Sequence, residues 1–289
     1  MIFGDFSQYG VRPTLSRITR DLLVGLGLAP VALKAYGVAQ RANPYLALKN
    51  RRYLRKAGAD GLAVPPRNLV FLVAGTPDIS WFLETGAQTA RCITETLARR
   101  GVAVDSLDSI LDFGCGCGRV IRHWGRLPKT RIRGTDYNPA LIEWCRDNIP
   151  FGDFTVNRLS PPLKDESAGF DLIYAISVFT HLPEPTQIAW MTELARLLKP
   201  GGHLILTTHG EKYLYRLSRH ERELFQSGGL VVKNAGASGS NTCSAYHPMS
   251  YIRDRLARGF ELVDFQPGGA LGVPHQDLVL LRAKPTSPR

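Results

Sequence analysis

Long hydrophobic runs are scarce in this chain of 289 residues. The longest, residues 22–33, is interrupted by Pro30 and flanked by Arg17, Arg20 and Lys34. About a dozen residues cannot cross a bilayer core, which needs roughly 20. The run also starts too far in, and without a cleavage site, to read as a signal peptide, so a cytoplasmic protein is expected. Basic flanks around an apolar helix leave a second reading, an anchor lying in the membrane interface, so the chain could also sit peripherally on a membrane. Cysteine is sparse and odd in number, at positions 92, 115, 117, 145 and 243, which excludes a disulfide-stapled scaffold and points to a reducing compartment. Cys115 and Cys117 stand one residue apart in a glycine turn with no second Cys/His pair at suitable spacing, so no metal is expected and both read as small residues packed in a tight place. There is no periodic repeat, and the one biased tract is a short Gly/Ser/Asn-rich patch at 234–241. What remains is an ordinary globular composition for one domain with additions, or two small domains.

Acidic residues are also short, and unevenly so. The formal net charge is +11, yet residues 1–67 alone hold eleven Lys/Arg against Asp5, Asp21 and Asp60. Within that front, residues 41–56 carry Arg41, Lys49, Arg51, Arg52, Arg55 and Lys56 with no acid, interleaved with Tyr45 and Tyr53. Such a run is read either as a solvated face or as a surface for an anionic substrate, a membrane or a nucleic acid.

Against these absences stands one concentrated signal. Residues 110–120 read Ile-Leu-Asp-Phe-Gly-Cys-Gly-Cys-Gly-Arg-Val: an apolar strand end, then Asp112, then Gly114, Gly116 and Gly118. Glycines at alternate positions let the backbone adopt conformations closed to other residues and let a ligand approach the main chain. The dinucleotide fingerprint Gly-x-Gly-x-x-Gly fails, because its third glycine would fall on Arg119. The spacing Asp-x-Gly-x-Gly-x-Gly instead resembles motif I of the class I S-adenosylmethionine (SAM)-dependent methyltransferases. Asp136 follows at the end of the next expected strand, 131–135, where an open α/β sheet sets a carboxylate against ribose hydroxyls. Residues 170–182 and 194–206 resemble the strand-four motif and the following helix-turn-strand of the same family. The four stretches cover about 110–210 in family order.

The resemblance implies a Rossmann-like seven-stranded sheet of order 3-2-1-4-5-7-6 with helices on both faces, the last two strands antiparallel at one edge. The division expected is a basic, mainly helical N-terminal region, 1–104, serving as an acceptor cap, and a core, 105–289, with residues 211–247 inserted after strand five as part of an acceptor lid. Apolar and polar patterning places strands at 69–75, 109–113, 131–135, 153–157, 170–176, 203–208, 260–265 and 277–282. It places helices at 78–83, 87–100, 118–126, 139–147, 185–198, 212–225 and 248–258, with Thr76 capping the first over Pro77.

Carried onto matching positions, the family's roles put the backbone of Gly114, Cys115 and Gly116 at the methionine part of SAM, Asp136 on the ribose and Tyr137 on or beside the adenine, with Asp112 and Gly118 also in the cofactor site. The acidic residue that the family often offers after strand three is absent here, and the stretch Asn157-Arg158-Leu159 must serve through Asn157 or a main-chain carbonyl. Ser177 falls at the methionine end. Methyl transfer is a displacement at an already activated carbon, so a base matters only where the acceptor must lose a proton. His181, His209 and His247 are the candidates, with His209 nearest the expected acceptor side, and each could equally be a hydrogen-bonded structural histidine. Trp81, Phe82 and Tyr246 are read as acceptor-pocket residues, the aromatics also being ordinary core material. The Pro-Pro-aromatic box of nucleic-acid amine methyltransferases is missing after strand four, as is any RNA-binding module, so nucleic acid is not expected. The resemblance is to bacterial methyltransferases of small metabolites and surface sugars, so the expected acceptor is a small molecule methylated most simply at a hydroxyl oxygen, and the basic front could hold an anionic group on it or an anionic lipid surface. Methylation of nitrogen, sulfur or a lipid headgroup, a salt-sensitive RNA methyltransferase and a SAM-binding scaffold without turnover remain open, as does oligomeric state.

Overall fold

The structure, a computed structural model, describes residues 43–56 and 60–284. The apolar run 22–33 and Arg41 lie outside the described residues. The chain divides into two compact units, 1–82 and 83–289, so the expected N-terminal region straddles the division.

In the first unit, α1 (Pro44–Lys56) and α2 (Arg67–Ala74) precede the start of α3 (Ile79–Ala98). The stretch expected as a strand at 69–75 is the helix α2. Its apolar residues fit either periodicity, but Pro66 stands just before it, and Gly75, at φ +68°, closes it by donating to the Phe71 carbonyl. The helices expected at 78–83 and 87–100 are one, and its cap is Asp78 rather than Thr76: Asp78 Oδ1 accepts from Ser80 Oγ and the Trp81 amide. Gly86 does not break α3, because a helix interior tolerates one glycine where a backbone must approach.

The second unit carries the seven-stranded sheet. Its strands are β1 (Ser109–Phe113), β2 (Arg131–Asp136), β3 (Gly152–Val156), β4 (Phe170–Ala175), β5 (Leu198–Thr208), β8 (Phe260–Gln266) and β9 (Asp277–Ala283). Their order is β3-β2-β1-β4-β5-β9-β8, with β9 antiparallel to both of its neighbours. Strands β6 (Val231–Lys233) and β7 (Ser244–Tyr246) form a separate antiparallel pair in the insertion, so the sheet has the order expected for the methyltransferase type. On one face pack Ile93 and Leu97 of α3 with Trp124, Ile142 and Cys145; on the other, Phe179, Trp190, Leu194 and Leu197. Each such side chain contributes roughly 1.5–3 kcal/mol on burial.

Three expected helices are shorter or broken. The segment 118–126 makes only a 3-10 turn, Ile121–Trp124, because Gly125 and Pro128 leave little chain after the glycine loop. The expected helix 212–225 splits into a 3-10 turn, Glu211–Arg216, and a helix, Arg219–Gln226, which Ser218 and Glu221 start as a reciprocal capping box. At 248–258 a short helical turn, Met249–Tyr251, passes into a π turn, Ile252–Leu256.

Candidate active site

Strand order reverses between β1 and β4, and the glycine loop leaves β1 at that point. The amides of Gly114 and Cys115 both donate to the Thr135 carbonyl, at 2.8 and 3.0 Å, which folds the loop back onto the end of β2. Gly114 and Gly118 sit at φ +80° and +82°, and a β-carbon on Gly114 would overlap Val178. Asp136 ends β2 beneath the loop: its Oδ2 accepts from the Gly116 amide at 3.0 Å and its Oδ1 from the Asn138 amide at 2.9 Å. Burial raises its pKa above the ordinary carboxylate range while those amides pull it back.

Asp112 lies in the same floor. Its Oδ2 accepts from the Tyr174 hydroxyl at 2.9 Å, and that hydroxyl accepts from Trp124 Nε1 at 2.8 Å. Burial pushes Asp112 up to about 7, against the lowering effects of Tyr174 and the Arg119 charge. Arg119, lowered by burial to about 10, donates to Thr85, Thr89 and the Gly272 carbonyl. A β-carbon on Gly86 would overlap the Arg119 carbonyl oxygen, which explains the glycine inside α3. Gly86→Ala is expected to destabilise the protein by about 1–3 kcal/mol through this overlap. The roughly 1 kcal/mol that alanine gains in a helix interior offsets part of this, leaving a net loss of up to about 2 kcal/mol. A lower Tm in calorimetry checks it, and an unchanged or higher Tm refutes the close approach. Cys115 and Cys117 are buried under the loop, and burial raises both thiols well above their usual range, so they stay protonated.

Around the rim, Tyr137 is 42% exposed, and Arg158 and Leu159 are exposed beyond β3. Asn157 is occupied: its Oδ1 accepts from Thr135 Oγ1 at 2.8 Å and its Nδ2 donates to the Arg158 carbonyl at 2.6 Å. Ser177, just after β4, stands at φ +60°, where a non-glycine residue is strained. Its amide donates to Thr207 Oγ1, its hydroxyl to Gln276 Oε1, and its carbonyl accepts from Thr180 Oγ1, and these three bonds hold it there.

The insertion meets both halves of this rim. The Gly239 amide donates to the His181 carbonyl, and a β-carbon on Gly239 would lie 2.6 Å from Leu159 Cδ2 and 3.5 Å from Tyr137 Cε1. The β7 region then supplies two carbonyls in alternate positions. Cys243 O lies 2.7 Å from His181 Nδ1, and Ala245 O lies 3.2 Å from His209 Nδ1. A carbonyl can only accept, so each Nδ1 carries the proton and each Nε2 keeps its lone pair. The two rings are 6.3 Å apart and edge to face. Burial lowers His181 to about 4 and holds His209 well below the usual imidazole range, so both are neutral.

His247 is walled off. It is fully buried, with Nε2 3.1 Å from Gln187 Oε1 and Nδ1 without a partner among the described residues, and burial lowers it to about 3. His209 instead faces aromatic rings, Tyr213 at 4.1 Å and Tyr246 at 5.4 Å, and the Arg216 guanidinium lies over Tyr213 at 4.9 Å. Trp81 and Phe82 fall in the first unit, Phe82 fully buried. Sequence reading missed Tyr213, Arg216, Thr207 and Gln276. The alternation Tyr213-Leu214-Tyr215-Arg216 at the start of the insertion was the available signal for the first two, whereas Thr207 and Gln276 meet Ser177 only through the fold.

This sheet order, with a carboxylate closing on a glycine loop at the switch point, defines the class I methyltransferase fold. Residues 111–204 match the family described as a methyltransferase domain. The chain is 33% identical over 132 residues to a trans-aconitate 2-methyltransferase of Enterobacter sp. (strain 638), covering 43% of this chain and 48% of that protein. It is 31% identical over 103 residues to a ubiquinone biosynthesis O-methyltransferase of Xanthomonas oryzae pv. oryzae, covering 34% and 42%. The chain thus spans about half the length of the curated relatives it matches. Among solved structures, a SAM-dependent methyltransferase from Methanosarcina mazei superposes with a TM-score of 0.50 at 18% identity, over 65% of this chain and 97% of that one, a likeness of fold.

Proposed function

We propose that the chain is a SAM-dependent methyltransferase acting on oxygen of a small, anionic acceptor, with His209 as the base. The observation that carries the cofactor assignment is Asp136. Its carboxylate tethers the glycine loop through Gly116 and stands beside the half-exposed ring of Tyr137 at the carboxyl end of the sheet. A buried acceptor of that kind, a backbone loop open to close approach and an aromatic face suit the hydroxyls, the amino-acid end and the adenine of SAM respectively. Gly114, Cys115, Gly116, Asp136 and Tyr137 would hold it, and when bound it supplies a methyl group on a positively charged sulfur. The chain's own residues have the rest to do.

His209 Nε2 takes the acceptor's proton, its Nδ1–H being fixed by Ala245, and His181 stands next to it in the same tautomer. Tyr213 and Tyr246 flank the acceptor and limit water, and Arg216 offers a positive charge to an anionic substituent. The relative named as an O-methyltransferase supports oxygen as the receiving atom. The test is calorimetric titration with S-adenosylhomocysteine, followed by a screen of hydroxylated and carboxylated metabolites and sugars for methyl transfer. Micromolar binding and turnover of an anionic acceptor are expected; a folded protein that binds no S-adenosylhomocysteine would overturn the reading.

A further inference from the structure

Helix α1 has one face fixed and one face open. On the fixed face, Asn50 is buried, donating through Nδ2 to the Pro77 carbonyl and accepting through Oδ1 from the Ile79 amide, while Lys49 pairs with the buried carboxylate of Asp78. These bonds tie α1 to the start of α3 within the first unit and set its rotation about its own axis. The open side carries Tyr45, Leu48 and Leu54, which are 72%, 48% and 45% exposed, together with exposed Arg51, Arg52 and Arg55. No acid occurs on the helix, and these three arginines form no ion pair among the described residues. Positions 45, 48, 52 and 55 recur at spacings of three and four, so a tyrosine, a leucine and two arginines share one stripe.

The exposed tyrosine and leucines serve no fold purpose on a solvated face, and the arginines beside them meet no carboxylate among the described residues. At a lipid interface both become favourable: the arginines meet headgroup phosphates and the tyrosine and Leu48 enter the acyl boundary. A second feature of the same front is independent of α1: the apolar run 22–33 with Arg17, Arg20 and Lys34 at its flanks. No described helix is long and apolar enough to cross a membrane, so the contact would be one of surface. We infer that α1 seats this chain on an anionic lipid surface, through Arg51, Arg52 and Arg55 for charge and Tyr45 and Leu48 for insertion. Nucleic acid fits less well, because phosphate-backbone contact has no use for exposed leucines beside the arginines.

The experiment is co-sedimentation of the full chain with vesicles of phosphatidylcholine alone and of phosphatidylcholine with phosphatidylglycerol. Binding is expected to the anionic vesicles and not to the neutral ones. Reversal of three arginines in Arg51→Glu/Arg52→Glu/Arg55→Glu is expected to weaken partition by about a hundredfold or more, each charge accounting for roughly fivefold. Tyr45→Ser/Leu48→Ser is expected to weaken it at high salt, where charge is screened and insertion remains. All variants should bind S-adenosylhomocysteine as the wild type does, so failure here is distinct from failure of the methyltransferase reading. The inference is overturned by no binding to anionic vesicles, by equal binding to neutral ones, or by wild-type partition of the arginine variant. It is equally overturned if single-stranded RNA displaces the vesicles and binds regardless of Tyr45 and Leu48.

Discussion

Asp136→Ala is expected to weaken S-adenosylhomocysteine binding by two orders of magnitude or more while leaving the protein folded. Hydrogen bonds to a charged acceptor contribute about 1.5–3 kcal/mol each, and on the proposed cofactor reading a ribose would present two hydroxyls to this carboxylate. Losing both would cost about 3–6 kcal/mol, and 2.7 kcal/mol is already about a hundredfold. The same carboxylate accepts from the Gly116 and Asn138 amides, so its loss also frees the loop that the ligand must find in place. Asp136→Asn is not a rescue, because its amide nitrogen would set a donor against one of those amides. The two contributions separate by measurement. A fall in Tm with normal affinity would mean that Asp136 only braces the loop, and the cofactor assignment would lose its carrying observation. A collapse in affinity at a nearly unchanged Tm is the expected result.

The part of this site that was legible in sequence is the part built from consecutive residues. The glycine spacing of 114–118 and a carboxylate at the end of the next strand are local patterns. The structure joins them through a single bond from Gly116 to Asp136, in a sheet of the order expected. Where sequence reading failed, the cause was contact between distant segments or rival local signals. The run 69–75 is apolar enough for a strand, yet Pro66 and Gly75 decide for a helix. At Asn157, where the expectation is a side-chain or a main-chain contact to the adenine, the fold spends both ends of the side-chain amide on Thr135 and Arg158 and leaves the main-chain alternative untouched. His181, His209 and His247 all follow strands or lie in the insertion, and sequence favours His209 only by its place toward the expected acceptor side. The packing separates them: β7 approaches the first two with carbonyls, while His247 is sealed against Gln187. No periodicity encodes which histidine keeps a reachable lone pair, because that depends on where a long insertion returns to the sheet.

His209→Ala is the second large effect. Removing a positioned general base is expected to lower kcat by about a hundredfold to ten-thousandfold, with S-adenosylhomocysteine affinity unchanged. Two roles compete for this ring, since its Nδ1–H also anchors the insertion through Ala245. His209→Asn separates them: the asparagine amide can donate to the same carbonyl but cannot take a proton. If the base reading is right, kcat stays low in His209→Asn; recovery of activity would leave His209 as an anchor of the lid. The pH profile gives a further test, and its sign follows from burial. Desolvation disfavours the charged imidazole, so His209 titrates well below its ordinary range and its neighbour His181 near about 4. Both rings are therefore in the proton-accepting form above pH 6.5, and lowering the pH from 8 to 6 is expected to leave kcat nearly flat. The loss comes only as the pH falls through the depressed values. An acid limb centred at the ordinary imidazole pKa would require a solvated base, and the buried His209 is not one.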